Sequence, residues 1–166
     1  TSCGTTRDYF HSEGIYGWTP EIAGNGFWPQ ASTIFDLVAE NVRPLFYQSW
    51  LAGAYLDVQN HYQIGDAVPG SSFELVVEIK NIGVGDTSTN SSVILTASDP
   101  RIQVPTANGY GDILPRTRAD NSLSPFTISI DPAFNQASFD LTITTIQNGA
   151  PNETAVITIY MGIKNI

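Results

Sequence analysis

The chain has 166 residues, with 16 acidic against 7 basic side chains and a formal net charge of −9. At 18.0 kDa and a sequence pI near 4.3, it is long enough for about two small domains at most. Hydrophobic residues make up 42% and charged ones only 14%, far too apolar a balance for a disordered acidic chain. Lys80 and Lys164 are the only lysines and no arginines cluster. Nothing offers counter-charge to a phosphate backbone, which excludes nucleic acid as a partner. No apolar run approaches the roughly 20 residues of a spanning helix, so no membrane segment is expected. The first residues include no Met, basic stretch or apolar stretch, and the expectation is a piece of a longer protein. Cys3 is the single cysteine and has no internal partner. With few lysines and much Thr, Ser, Gly and Asn, the composition predicts a secreted, extracellular protein kept dispersed by acidic charge.

A composition shift near residue 58 divides the chain into 1–57 and 58–166. Trp18, Trp28 and Trp50 all precede it. Gly14 to Ala23 carries Ile15, Tyr16, Trp18, Thr19 and Ile22 and reads as a strand, with Pro20 marking an edge or an end. A turn at Gly24-Asn25-Gly26 follows. Ser32 then caps a helix whose apolar positions Ile34, Leu37, Val38, Val42 and Leu45 share one face. Pro44 interrupts it, so either the helix kinks there or a second one begins with Asn41 as cap and runs to about Gly53.

From Tyr55 onward the pattern has a period of two, and a linker containing Gly65, Pro69 and Gly70 is expected near Asp57 to Pro69. Phe73, Leu75, Val77 and Ile79 alternate with polar residues, as do Phe126, Ile128 and Ile130, and Phe139, Leu141 and Ile143. Each reads as a strand with one wet face. Val93 to Ala97, Ile102 to Val104, Ile113 to Leu114 and Ala155 to Ile163 add further candidates. About seven or eight short strands separated by Gly, Pro, Asn and Asp predict an antiparallel, Ig-like β-sandwich.

Chemistry is sparse by spacing alone. No phosphate-cradling Gly loop, nucleophile elbow or His-Glu-x-x-His helix is present. His11 and His61 stand apart from other ligand types. Asp57, Asp99 and Asp112 read as turn caps rather than calcium ligands. Asn90-Ser91-Ser92 and Asn152-Glu153-Thr154 match the glycosylation acceptor pattern, which a Ser/Thr-rich chain also produces by accident. Glu21 differs, because it sits among Trp18, Pro20, Ile22 and Trp28, where an ionised carboxylate is costly unless paired or required. Pattern alone makes it a strand Glu that points to solvent.

Gly4-Thr5-Thr6-Arg7-Asp8-Tyr9, Gly14-Ile15, Thr19-Pro20-Glu21-Ile22 and Gly26-Phe27-Trp28-Pro29-Gln30-Ala31-Ser32 follow one another in an order that resembles the C-terminal stretch of a zinc metallocarboxypeptidase of the carboxypeptidase A type. The resemblance covers residues 1 to 54. It implies an α/β fold for that segment, with a final helix packed on a central sheet. It also implies that Glu21 is the general base that activates a zinc-bound water against a peptide carbonyl and passes the proton to the leaving amine. Such a carboxylate suits a partly apolar cleft, where desolvation raises its pKa toward working pH. By the same resemblance Arg7, beside Thr5, Thr6 and Thr19, lies at the base of the pocket for the substrate's C-terminal side chain. A guanidinium there favours peptides ending in Glu or Asp; the alternative is an Arg7 paired with Asp8 or Glu13 and turned away.

The family's zinc ligands, substrate-carboxylate arginine and mobile tyrosine have no counterpart in these 166 residues. The expectation is half an active site: zinc in the intact parent, none bound by this fragment, with the remainder of the peptidase domain as its partner and a peptide as substrate. The segment Glu78-Ile79-Lys80-Asn81-Ile82-Gly83 is similar to the strand ends of sandwich modules appended to secreted bacterial peptidases. The other class is a non-catalytic β-sandwich binding or assembly module of an extracellular protein.

Overall fold

The structure, a computed structural model, describes residues 4–15, 17 and 29–162. It divides into two compact units, Thr1–Phe46 and Tyr47–Ile166. The strand expected over Gly14 to Ala23, apart from Gly14, Ile15 and Gly17, and the turn at 24–26 lie outside the described residues, as do Thr19 and Glu21.

Among the described residues, two α-helices and a short 3-10 turn make up the regular structure before residue 55. Helix α1 (Thr6–Ser12) begins with Thr5 as N-cap in a reciprocal box, in which the Thr5 amide donates to Asp8 Oδ2 at 3.0 Å and the Asp8 amide to Thr5 Oγ1 at 3.4 Å. Two otherwise orphaned donors are satisfied in this way. A 3-10 turn, Ala31–Thr33, runs directly into helix α2 (Ile34–Ala52). Ser32 therefore lies within the 3-10 turn and caps nothing by its side chain, and α2 passes unbroken through Pro44. The proline removes one intrahelical bond and crowds the preceding turn, but long helical flanks on both sides carry the segment across.

Among the described residues nine strands follow, and their pairings are antiparallel. They are β1 (Leu56–Ile64), β2 (Ser72–Asn81), β3 (Ser88–Ala97), β4 (Ile102–Gln103), β5 (Asn108–Ile113), β6 (Arg118–Asp120), β7 (Phe126–Ile130), β8 (Ser138–Gln147) and β9 (Ala150–Tyr160). One sheet has the order β1-β2-β7-β4 with β6 also on β2, and the other β5-β3-β8-β9. The chain is thus mostly β and the second unit is a β-sandwich. Leu75, Val77 and Ile79 of one sheet and Val93, Leu95, Leu141 and Ile143 of the other form its core with Phe126, Ile128 and Phe139. Phe134 meets Phe139 edge-on at 5.6 Å, and the Arg101 guanidinium lies 5.0 Å over Phe134, closing one end of the core.

Two elements depart from the expected pattern. The segment expected as a linker is strand β1, paired along β2, so Asp57 is a strand residue and not a turn cap. Its alternation is hidden by a register shift between Val58 and Asn60. Leu56 faces inward before this bulge and Gln63 after it, at opposite parity. The other is β6, which with β7 forms one interrupted strand. Across the gap Asn121 takes the place of backbone: its Oδ1 accepts from the Val77 amide at 2.7 Å and its Nδ2 donates to the Leu75 carbonyl at 3.4 Å. The β8–β9 hairpin turns at Asn148 and Gly149, with φ of 48° and 82°, the left-handed pair that a two-residue hairpin requires.

The last turn of α2 is stopped by the loop after β2. The Val84 amide donates to the Leu51 carbonyl at 2.8 Å, which caps one of the helix's free acceptors. A Cβ on Gly83 would lie 2.1 Å from the Gly53 carbonyl oxygen, and one on Gly85 2.0 Å from that of Ala52. Both obstacles are backbone, so neither yields by a rotamer change. Gly83→Ala is expected to cost about 1–3 kcal/mol and to lower the melting temperature by roughly 2–12 °C. A thermal scan that superimposes on wild type would show that the loop relaxes freely.

Candidate functional site

Thr5, Thr6 and Arg7 fall together in the first turn of α1. Thr5 is half-buried and engaged in the capping box, whereas Thr6 and Arg7 are exposed. Asp8 gives its carboxylate to the Thr5 amide and hydroxyl, and these bonds hold its pKa below the ordinary carboxylate value. Among the described residues Arg7 makes no ion pair, with Asp8 or with Glu13. Thr19 and Glu21 lie outside the described residues.

Helix α2 carries Ile34, Phe35, Val38, Leu45, Phe46 and Trp50, all exposed, and none of its residues is buried. On its first half Ile34, Leu37, Val38, Asn41, Val42 and Leu45 line, with Pro29, a groove of about 300 Å³ that is almost wholly apolar. In a chain that buries its strand positions so thoroughly, an uncovered apolar helix face of this size marks a contact surface.

A second constellation joins the two sheets at their edges. Strand β1 borders one sheet and β9 the other. The Leu56 amide of β1 donates to Asn152 Oδ1 of β9 at 2.5 Å. The buried Thr145 hydroxyl accepts from the Glu153 amide at 3.0 Å and lies 3.4 Å from the Leu56 carbonyl. Beside these bonds the Glu153 and Asp57 carboxyl groups meet. Burial, then the hydrogen bond to Asp57 and the Asp57 charge, push Glu153 up to about 7, opposed by the Val58 amide. Its Oε2 is enclosed and has no hydrogen-bond partner. Tyr55, stacked on Trp50 at 5.6 Å and nearly parallel, is raised first by burial and then by the charges of Glu153 and Asp57.

The remaining polar residues are structural. Asp99 accepts from the Arg101 backbone and guanidinium, whose bonds lower its pKa to about 2, and Asp112 accepts from the Asn90 amide. The sequence reads both as turn caps, which Asp99 is, whereas Asp112 is a residue of strand β5 whose carboxylate bonds to β3. His61 is lowered by burial. Among the described residues no three His, Cys, Asp or Glu side chains gather as a metal-holding group, so the residues present do not fit zinc. Among them, too, no helix is long and apolar enough to cross a membrane.

No family model matches the chain, and no curated protein matches it. Among solved structures it is similar to a cohesin module from a Clostridium perfringens ATCC13124 family 33 glycoside hydrolase, with a TM-score of 0.36 and 14% identity over 65% of this chain and 96% of that one.

Proposed function

We propose that this chain is the C-terminal part of a secreted zinc carboxypeptidase, with residues 1–57 completing the peptidase domain and the β-sandwich 58–166 as an accessory module. The motif order from Gly4 to Ser32 suggests the family. The structural observation that supports it is α2, none of whose residues is buried and whose apolar Ile34, Val38, Val42 and Leu45 are exposed. A terminal helix that packs on the sheet of a larger domain has this character when the remainder of the domain is a separate stretch of chain. In this reading Glu21 is the general base, the metal is held by residues of that remainder, and Arg7 reaches the substrate's terminal side chain beside Thr5, Thr6 and Thr19. The substrate is a peptide.

A second reading, a non-catalytic binding or assembly module of an extracellular protein, is favoured by the sandwich core. That core is built from residues of the second unit alone, with Leu56 at one end and Ile159 at the other. The peptidase-like segment is then a structural base and α2 a docking surface.

The intact parent separates the two. Purified parent is expected to contain stoichiometric metal and to release C-terminal residues from peptides, Glu and Asp faster than Phe or Lys. Arg7→Ala is expected to reduce that preference by about tenfold or more, the cost of leaving a substrate carboxylate without its partner. Absence of both metal and cleavage establishes the binding module; equal cleavage of Glu, Phe and Lys termini removes Arg7 from the pocket.

A further inference from the structure

We propose that Glu153 and Asp57 form a proton-operated latch between β1 and β9, closed while the two carboxyl groups share a proton and loosened when it leaves. The geometry carries the assignment. The latch lies where the borders of the two sheets meet, beside the Leu56–Asn152 and Glu153–Thr145 hydrogen bonds. Glu153 Oε2 is enclosed without a hydrogen-bond partner, and the Asp57 carboxyl acts on Glu153 through hydrogen bonding and charge.

A second negative charge at that position would stand enclosed beside a first, which is costly in a poorly hydrated pocket. The surroundings supply little compensation. From β1 the charged neighbour is Asp57, with the Val58 amide as the one donor that favours ionised Glu153. Tyr55, before β1, feels both carboxylates and, least of all, Tyr47 from the last turns of α2, and neither side chain can bring a positive charge. On β2, Lys80 stands opposite Asp57 in register, yet among the described residues no ion pair joins them. From β8 the group presented is the Thr145 hydroxyl, which carries no charge.

The direction with pH follows from linkage. Glu153 is raised from its ordinary 4.5 to about 7, so between those values the folded chain holds a proton that the unfolded chain has released. Stability from this site is therefore full at the acid end, declines as pH rises through the interval, and levels off above it. Loss of the proton separates the carboxyl groups, and the amides of Leu56, which bonds across the seam to Asn152, and of Glu153, which bonds to Thr145 beside it, become the first sandwich amides to open.

The test is amide hydrogen exchange of the full 166-residue chain across pH 5 to 8.5, corrected for intrinsic exchange, together with carbon-detected titration of the Glu153 carboxyl. Protection at Leu56 and Glu153 is expected to fall by about tenfold or more, the equivalent of one pKa unit, with a midpoint that follows the Glu153 titration. Leu95, deep in the β3–β8 pairing, should keep its protection. Glu153→Gln, which retains the bond to Asp57 without a titrating proton, should abolish the fall. Should that variant not fold, Asp57→Asn provides the second arm and should move the Glu153 midpoint downward. A Glu153 midpoint in the ordinary carboxylate range, an unchanged fall in Glu153→Gln, or an equal loss at Leu95 would overturn the latch.

Discussion

Asn81→Ala is expected to lower the stability of the sandwich more than any other single polar substitution in it. The side chain is wholly buried and makes four hydrogen bonds. Its Nδ2 donates to the Asp86 carbonyl at 2.9 Å and the Ile113 carbonyl at 3.0 Å, and its Oδ1 accepts from the Tyr55 amide at 3.1 Å and the Gly83 amide at 3.0 Å. One amide group thereby holds the entry to β1, the loop that stops α2, and the end of β5 in the opposite sheet. Alanine leaves those backbone groups buried without partners, at about 1–3 kcal/mol for each one that water cannot reach. Because a water fills part of the vacated space, about 3–5 kcal/mol in total is expected. For a chain of this size that lowers the melting temperature by roughly 6–20 °C. Asn81→Asp should be no milder, since a carboxylate offers no donor to the Asp86 and Ile113 carbonyls. If urea titration shows Asn81→Ala within about 0.5 kcal/mol of wild type, the four bonds are replaceable and the hub is only geometric.

The position of Asn81 was legible in the sequence as part of Lys80-Asn81-Ile82-Gly83, but its role was not. Two of its partners, Gly83 and Asp86, are close in sequence, whereas Tyr55 lies 26 residues before it and Ile113 belongs to the other sheet, reached only after the chain has crossed between sheets three times. Strands were legible where one face is buried and the other wet without interruption: Phe126–Ile130 was read with the bounds it has in the fold. They were missed where the alternation breaks, at the bulge in β1, or where a strand is as short as Arg118–Asp120 and leans on a side chain to continue its ladder. Helix α2 was read from its apolar face, yet Pro44 suggested a boundary that the backbone does not make. The Asp57–Glu153 pair left no trace in spacing. Asp57 lies in the first strand of the sandwich and Glu153 in the last, and only the closure of two sheet edges brings them together.

Glu21→Gln carries the largest expected effect on activity, and it is read in the intact parent. In the proposed peptidase Glu21 takes a proton from the attacking water and delivers it to the departing amine. Glutamine keeps the size and much of the hydrogen bonding but accepts no proton at working pH, so it removes the transfer with little change in shape. General acid-base catalysis of this kind contributes about 10²- to 10⁴-fold. The variant should therefore lose that factor in kcat, with KM and metal content close to those of the wild type. The pH profile supplies an independent readout. The wild-type parent should lose kcat/KM on the acid side as Glu21 gains a proton, and the variant's residual rate should lack that limb. A rise in KM with kcat preserved would make Glu21 a positioning residue. Turnover near wild type would leave it a strand glutamate facing solvent, and the segment from Gly4 to Ser32 would then owe its form to packing and not to peptide hydrolysis.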